Sequence, residues 1–231
     1  MRNSEYASNQ LRAVQDRIQV AASNAGREPA SITLVGAAKQ KSAELVAAFG
    51  DTGLRDIGEN YLSQGLEKQT LLTENKFVWH FIGKIQSNKT QDIARHFSWV
   101  HAVDRLKIAR RFNDHLNNKP PLQILIQIDI DDEPTKGGIP ANLAAEFCQQ
   151  ISQFSNIRLR GLMLLPKARS VYDEQRKPFA QARELLEQVN QRYGLAMDTL
   201  SMGMSNDLEA AIKEGSTMIR IGTDLFGART E

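Results

Sequence analysis

The chain has 231 residues, of which 41% are hydrophobic and 24% charged, a composition typical of a globular protein with a substantial core. Lys and Arg number 29 against 27 Asp and Glu, and the net charge of +2 gives no support for a nucleic-acid partner. No segment approaches the roughly 18 apolar residues of a membrane span, and the N-terminus has no apolar targeting core. We therefore expect a soluble, cytoplasmic protein with no membrane partner.

The first predicted element is an amphipathic helix. Leu11, Val14, Ile18 and Ala22 recur at helical spacing, and Gly26 is suited to end the helix. This helix precedes a regular alternation of strand-like and helix-like segments, so we expect it to be an addition to the main fold.

Eight strand-like runs follow, at 32–38, 55–59, 77–83, 99–103, 122–130, 159–166, 199–204 and 217–222. Seven helical runs lie between them, at 42–49, 61–72, 87–97, 105–116, 142–151, 178–189 and 207–215. Strands that alternate with helices indicate parallel pairing through right-handed crossovers. Eight such units predict a (β/α)8 TIM barrel, an α/β fold, as a single domain over residues 1–231. An open doubly wound sheet is the alternative, although no G-x-G-x-x-G motif follows the first strand.

Polar residues stand at the carboxyl ends of the predicted strands, where a barrel places its active site. They are Lys39, Glu59, Asn60, His80 and Asp129 to Asp132. For His80 we favour a packed histidine inside the barrel. The single cysteine, Cys148, lies on the apolar side of a helical pattern, which indicates a buried and inert thiol. The histidines share no metal-ligand spacing with it or with each other, so we predict no metal site.

The turns after the last two strands are the usual phosphate site of this fold. Met204 and Ser205 lie just ahead of a helical run, Gly222 permits close backbone approach, and Thr223 offers an amide and a hydroxyl. An ordinary capping box, formed by residues 206 and 209, explains part of the same pattern. A lysine opposite a phosphate site would fit a phosphorylated aldehyde or ketone bound as an imine, because a lysine amine can add to a carbonyl.

Seven stretches from residue 34 to residue 229 resemble, in order, those of the pyridoxal-phosphate homeostasis family. They read LVGAAKQK, IGENYLSQ, WHFIGKIQSNK, LIQIDIDDEPTKGGI, RGLMLLP, LSMGMSNDLEAAI and IRIGTDLFGAR. That family is similar to the barrel domain of alanine racemase standing alone. The resemblance implies pyridoxal 5'-phosphate (PLP) as the cofactor, and it assigns the cofactor to Lys39, Asn60, Met204, Ser205, Arg220, Gly222 and Thr223.

The resemblance also implies a role for each of these residues. Lys39 would hold PLP as an internal aldimine. The phosphate would be received by Ser205, Gly222 and Thr223, with the Met204 backbone beside them.

Arg220 would face the pyridine nitrogen, and Asn60 would contact the side of the ring. A guanidinium only donates hydrogen bonds, so a pyridine nitrogen paired with it stays largely unprotonated and the ring is a weaker electron sink. The chain departs from the family at Ala38, Gln40 and Ser42, where Ser, Thr and Pro are usual. These departures bear on the shape of the loop that carries the lysine.

Two functions from different classes are compatible with these residues. The protein would buffer PLP or deliver it transiently to apo-enzymes, or it would be a PLP-dependent amino-acid racemase. In alanine racemase the second base is a tyrosine of a further domain, and this chain ends shortly after Gly222, so we expect that base to be absent. Tyr61 lies near the predicted mouth but belongs to the same barrel. We therefore expect a carrier with no catalytic residue.

The remaining expectations concern assembly and a third function. Without the further domain that helps racemases to dimerise, we expect a monomer. Lys136 matches a family lysine and could be a second aldehyde acceptor, but we favour an exposed loop lysine. A Schiff-base aldolase without a cofactor is the third function compatible with a lysine at this position.

Overall fold

Parallel strands close into a barrel in the computed structural model, which describes residues 2–116, 120–133 and 136–228. The strands are β1 Thr33–Ala37, β2 Asp56–Glu59, β3 Val78–Phe81, β4 Trp99–Val103, β5 Leu122–Asp129, β6 Ile139–Pro140, β7 Ile157–Leu164, β8 Thr199–Ser201 and β9 Met218–Ile221. The α-helices are α1 Arg2–Asn24, α2 Ala43–Asp51, α3 Leu62–Leu71, α4 Thr90–His96, α5 Leu106–His115, α6 Ala144–Ile151, α7 Tyr172–Tyr193, α8 Leu208–Lys213 and α9 Thr223–Phe226. The predicted domain, residues 1–231, includes residues outside the described ranges.

The strand order is β4-β3-β2-β1-β9-β8-β7-β5, and pairing of β4 with β5 closes the ring. Every pairing is parallel, because a helix connects most strands to the next. The eight predicted strands form this ring, so the TIM-barrel prediction is confirmed. The two-residue strand β6, which pairs with the end of β5, and the four-residue helix α9 are additional. Both are too short to produce a hydrophobic period in the sequence.

The longest deviation from the predicted boundaries is at α7. The predicted helical run covered residues 178–189. The helix instead begins at Tyr172 and has Pro178 in its interior. Asp173 and Glu174 lie in its first turn, where carboxylates favour a helix N-terminus.

The N-terminal helix α1 packs outside the barrel against α2, α8 and α9. Its predicted apolar face is buried, including Leu11, Val14 and Ile18. Gly26 follows the helix with φ +68°, a left-handed conformation that favours glycine. This helix therefore covers the side of the barrel that carries α2, α8 and α9. Within the described ranges, no helix combines the length and apolar character needed to cross a membrane.

Candidate functional site

A cavity of about 540 Å³ opens at the carboxyl ends of the barrel strands. This size is in the range of small-molecule sites. It is lined by all seven residues that the family resemblance assigned to a cofactor, namely Lys39, Asn60, Met204, Ser205, Arg220, Gly222 and Thr223. The fold thus brings together residues that are separated by up to 184 positions, from 39 to 223.

Lys39 lies in a tight turn directly after β1. The amide of Ala38 still donates to the carbonyl of Gly58, at 2.9 Å, and the amide of Lys41 donates back to the Ala38 carbonyl at 3.1 Å. Gln40 adopts φ +59°, an uncommon conformation for a residue with a side chain. The turn ends the strand abruptly and leaves the Lys39 side chain half-buried in the cavity wall.

A buried ion pair supports this turn from below. Lys68 Nζ donates to Glu59 Oε1 at 2.5 Å and to the carbonyl of Ala38 at 2.9 Å. Burial raises the pKa of Glu59, and the nearby Lys68 ammonium partly offsets that effect. Glu59 was expected to face the cavity, but it is fully buried and holds Lys68 instead. Lys68 was not predicted, although a lysine on the inner face of the predicted helix 61–72 was a detectable signal.

Asn60 owes its position to a close backbone approach. A Cβ atom on Gly83 would lie 2.1 Å from the carbonyl oxygen of Asn60, so only glycine permits this contact. The amide of Ile82 also donates to the carbonyl of Glu59 at 2.9 Å. The turn after β3 therefore holds Asn60 at the cavity wall.

The turn after β8 contributes Met204 and Ser205. The amide of Met204 donates to Asp207 Oδ1 at 2.6 Å, and no side chain caps α8. The capping-box interpretation of Asn206 and Glu209 is therefore wrong, because the helix begins one residue later. Within the described residues, the amides of Ser205 and Asn206 donate to no protein acceptor.

Gly222 and Thr223 form the start of α9. The amides of Phe226 and Gly227 donate to the carbonyls of Gly222 and Thr223, at 2.8 and 2.9 Å. The first amides of this turn, including that of Thr223, donate to no acceptor among the described residues. A Cβ on residue 222 would meet only ordinary contacts, 3.5 Å or more from Ala37, so its absence leaves free space.

Arg220 reaches the cavity from inside the barrel. Its Nη1 donates to Ser201 Oγ at 2.6 Å, and its Nη2 donates to the carbonyl of Leu164 at 2.7 Å. Burial lowers the pKa of Arg220 to about 10, an effect that the Asp207 carboxylate partly opposes. The guanidinium is still protonated at neutral pH and can only donate.

A hydrogen-bond chain continues from Arg220 through the barrel. Ser201 Oγ lies 2.9 Å from His101 Nδ1, His101 Nε2 lies 3.0 Å from His80 Nδ1, and His80 Nε2 lies 2.9 Å from Asp56 Oδ1. Burial lowers the pKa of both histidines, and for His101 the nearby His80 and Arg220 lower it further. With both rings neutral, Arg220 donates to Ser201 and each bond points onward to the Asp56 carboxylate. His80, Ser201 and His101 thus support Arg220 from within the barrel.

Two further lysines line the cavity. Lys41 donates from Nζ to the carbonyls of Gly227 and Ala228, at 3.0 and 2.7 Å, so it ties the segment after α9 to the β1 turn. Lys136 donates from Nζ to the carbonyl of Pro166 at 2.9 Å and is exposed, as expected of a loop lysine. The sequence did not predict a cavity role for Lys41.

The acidic run 129–132 does not bring its carboxylates into the cavity. Asp131 binds Arg169 in a bidentate pair, with Oδ1–Nη2 at 2.5 Å and Oδ2–Nη1 at 3.1 Å. This pair joins the loop after β5 to the loop after β7, and Arg169 lines the cavity. The pKa of Asp131 is lowered, chiefly by its hydrogen bond to Arg169.

Cys148 is buried in α6, where burial raises the pKa of its thiol to about 12. Such a thiol is unreactive at neutral pH. In the part of the chain that the structure describes, no three His, Cys, Asp or Glu side chains are placed to hold a metal ion.

Residues 10–230 match the family model described as alanine racemase, N-terminal domain. A Pseudomonas aeruginosa protein named pyridoxal phosphate homeostasis protein is 48% identical over 217 residues, which cover 94% of this chain and 93% of that protein. This chain belongs to the pyridoxal phosphate homeostasis protein family. The same name is given to an Escherichia coli K12 protein that is 44% identical over 226 residues, 96% of each chain. The family predicted from the sequence motifs is confirmed.

Several solved structures share the fold of this chain. PipY of Synechococcus elongatus PCC7942 with PLP bound is 29% identical, with a TM-score of 0.86 over 96% of this chain and 100% of that chain. Without PLP, the same protein is 31% identical, with a TM-score of 0.85 over 95% of this chain and 99% of that chain. Alanine racemase of Clostridium difficile 630, in complex with cycloserine, is 15% identical with a TM-score of 0.75, and it covers 100% of this chain and 61% of that one. At that identity the likeness concerns the fold alone.

Proposed function

We propose that this protein binds PLP in the 540 Å³ cavity and serves in PLP homeostasis, as a buffer or carrier of the cofactor. The observation that carries the proposal is the meeting, in one cavity, of the Lys39 amine with the buried Arg220 guanidinium and two turns that present unpaired amides. The names of the relatives and the PLP bound to PipY support the same ligand.

The residues fit the chemistry of PLP. Lys39 supplies a primary amine, which would condense with the aldehyde to form a C=N bond with loss of water. Arg220 supplies donors only, which suits the acceptor nitrogen of a pyridine ring, and Asn60 borders the same space. Ser205, Gly222 and Thr223 would receive the phosphate on amides and hydroxyls.

The cofactor would supply an electron sink, and the chain limits the use of that sink. Arg220 cannot give the ring nitrogen a full proton at neutral pH, so ring protonation is disfavoured. The hydrogen-bond chain that leads to Asp56 holds the Arg220 guanidinium in place as a hydrogen-bond donor. This arrangement favours binding over catalysis.

In the described part of the chain no tyrosine lines the cavity, so the second base of a racemase has no counterpart in its wall. Tyr61 lies beside the lysine, with its ring centroid 5.6 Å from Lys39 Nζ, and is 47% exposed. A racemase needs acid–base groups on both faces of the substrate carbon. We therefore propose a carrier that gives up PLP to apo-enzymes in transient encounters. We further propose that it acts as a monomer in the cytoplasm.

The first test is spectroscopic. Purified protein soaked in PLP should show the absorbance band of a PLP imine, and borohydride should fix the adduct on Lys39 in peptide mapping. Protein that stays colourless at saturating PLP would contradict the proposal and favour a cofactor-free aldolase. Reproducible racemisation of alanine would favour the enzyme.

The second test concerns delivery. PLP-loaded protein and free PLP, at equal cofactor concentration, are mixed with an apo-enzyme, and the recovery of its activity is followed. A carrier should activate the apo-enzyme at a rate that depends on the concentration of the loaded protein. If recovery follows only the free PLP released into solution, the protein is a buffer and not a direct donor.

A further inference from the structure

One arginine outside the barrel contacts both turns on the proposed phosphate side of the cavity. Arg17 lies on α1, and its Nη2 donates to the carbonyl of Ser205 at 2.8 Å. Its Nη1 donates to Asp224 Oδ2 at 2.6 Å. Its Nε and Nη2 also bond the carboxylate of Glu209, at 2.9 and 3.1 Å. A single guanidinium thus joins the turn after β8 to α8 and α9.

The bond to Ser205 determines where the next amide points. In a trans peptide the C=O and N–H groups point in opposite directions, and the described chain has no cis peptide. Arg17 holds the Ser205 carbonyl from the side of α1, and Arg17 itself does not line the cavity. The N–H of Asn206 therefore points away from Arg17, and Asn206 lines the cavity. That amide has no protein acceptor in the described ranges.

The other contacts of Arg17 are electrostatic. Asp224 directly follows Thr223, and Glu209 lies in the first turn of α8, so two carboxylates belong to the elements that flank the proposed phosphate site. Left uncompensated, both would repel a dianion. Arg17 pairs with each of them, at 2.9 Å for Glu209 and 2.6 Å for Asp224. It thereby offsets negative charge behind the two turns.

We propose that Arg17 is a positioning residue for the cofactor phosphate, and that the Asn206 amide is a phosphate donor which Arg17 presents. The assignment rests on the proposed PLP site. It gives α1 a role in the cavity without direct contact, because α1 acts through the two turns that it joins.

The test compares two ligands that differ only in the phosphate. Affinities for PLP and for pyridoxal are measured by titration of wild type, Arg17→Ala and Arg12→Ala. Arg12 lies on the same helix and is exposed, so it matches the loss of one positive charge. Arg17→Ala should weaken PLP binding by about tenfold, in the range of a charge-assisted hydrogen bond, with pyridoxal binding unchanged. Arg12→Ala should change neither affinity, and Arg17→Lys should recover part of the loss, since an ammonium keeps the charge without the fork.

Equal weakening of both ligands in Arg17→Ala, or unchanged PLP binding, would overturn the assignment. If Arg17→Ala does not fold, the double variant Glu209→Gln Asp224→Asn keeps Arg17 and removes the opposing carboxylates. It should bind PLP a few-fold more tightly, about twofold to fivefold, and pyridoxal as before. Unchanged PLP binding there would also overturn the assignment. If the wild-type protein binds no PLP, the proposed function itself is wrong. That outcome differs from a failure of the Arg17 assignment alone, in which the wild type still binds PLP.

Discussion

Two walls of the cavity are built in different ways. The wall with Lys39 is a tight turn at the surface, held from below by the Lys68–Glu59 pair. The wall with Arg220 lies inside the barrel, where a hydrogen-bond chain leads to Asp56. An accessible amine suits a bond that must form and break, and a buried guanidinium suits a donor that must not move. In the proposed PLP site, the Lys39 wall would form the covalent bond and the Arg220 wall would hold the donor to the ring.

The largest effect should come from the amine itself. Lys39→Ala should abolish the borohydride-fixed adduct and weaken PLP binding on the order of 100-fold, because the covalent bond is lost and only polar contacts remain. The measurement is the absorbance of the imine band during a PLP titration. Lys41→Ala is the matched control, since Lys41 lines the same cavity but bonds two carbonyls. An unchanged chromophore in Lys39→Ala would show that the amine belongs to another lysine.

The support beneath this turn should be the most sensitive point for stability. Lys68→Met leaves Glu59 buried without its partner, and removal of one member of a buried ion pair costs about 3–5 kcal/mol of unfolding free energy. The measurement is denaturant unfolding. The double variant Glu59→Leu Lys68→Met should recover most of the loss, because no charge then stays buried. Similar instability in the single and double variants would contradict the role of the pair.

The unfolding free energy of the same variant should depend more steeply on pH than that of the wild type. Burial already raises the pKa of Glu59, and loss of Lys68 removes an opposing influence. The folded state then holds a proton that the unfolded chain releases at the ordinary glutamate pKa. The unfolding free energy of Lys68→Met should therefore be highest in acid and fall as pH rises through the raised pKa of Glu59. Unfolding curves of variant and wild type that shift in parallel with pH would argue against this.

The stability of the buried wall should depend on Ser201, which links Arg220 to His101. Ser201→Ala leaves His101 Nδ1 and Arg220 Nη1 without their shared partner, which costs about 1–3 kcal/mol of stability. It should also shift the absorbance of bound PLP, because the donor to the ring is no longer fixed. Thr199→Val is a suitable control, since Thr199 lies on the same strand and its hydroxyl donates to Asp198. If the absorbance spectrum of PLP in Ser201→Ala is identical to that in wild type, the hydrogen-bond chain does not fix the donor to the PLP ring.

Sequence patterns predicted the barrel, and the family resemblance assigned the seven cavity residues to a cofactor. The barrel is predictable because its signals are local. Long apolar runs alternate with segments of helical periodicity. The carboxyl ends of the strands converge at one face of a barrel, whatever the conformation of the loops. The partners that hold those residues were not predictable in the same way. Lys68 reaches back to the residue before Lys39, and His101 meets Ser201 from a strand 100 residues away. Such pairs depend on register across the closed barrel, which a single sequence does not display.

The departures from the family motif also include one feature that the sequence can predict and one that it cannot. Ser42 replaces the usual proline, and its side chain accepts a hydrogen bond from the Leu45 amide at 3.3 Å, so it caps α2. A capping serine could be anticipated from the sequence alone. The left-handed turn at Gln40 could not, because the residue type disfavours it. The loop around Lys39 was therefore the least predictable part of the site.

The smallest effect on the fold should come from Gly222→Ala, which tests the phosphate side without disturbing either wall. The new Cβ would lie at ordinary distances from Ala37, and φ at residue 222 is −109°, outside the left-handed region that favours glycine. Stability should change by less than about 0.5 kcal/mol, the usual range for a substitution that breaks no contact. PLP binding should nevertheless weaken several-fold, because the methyl group fills space in the cavity, whereas pyridoxal binding should change less. A variant that binds PLP as tightly as wild type would place the phosphate elsewhere in the cavity, and equal losses for both ligands would place the ring, not the phosphate, against residue 222.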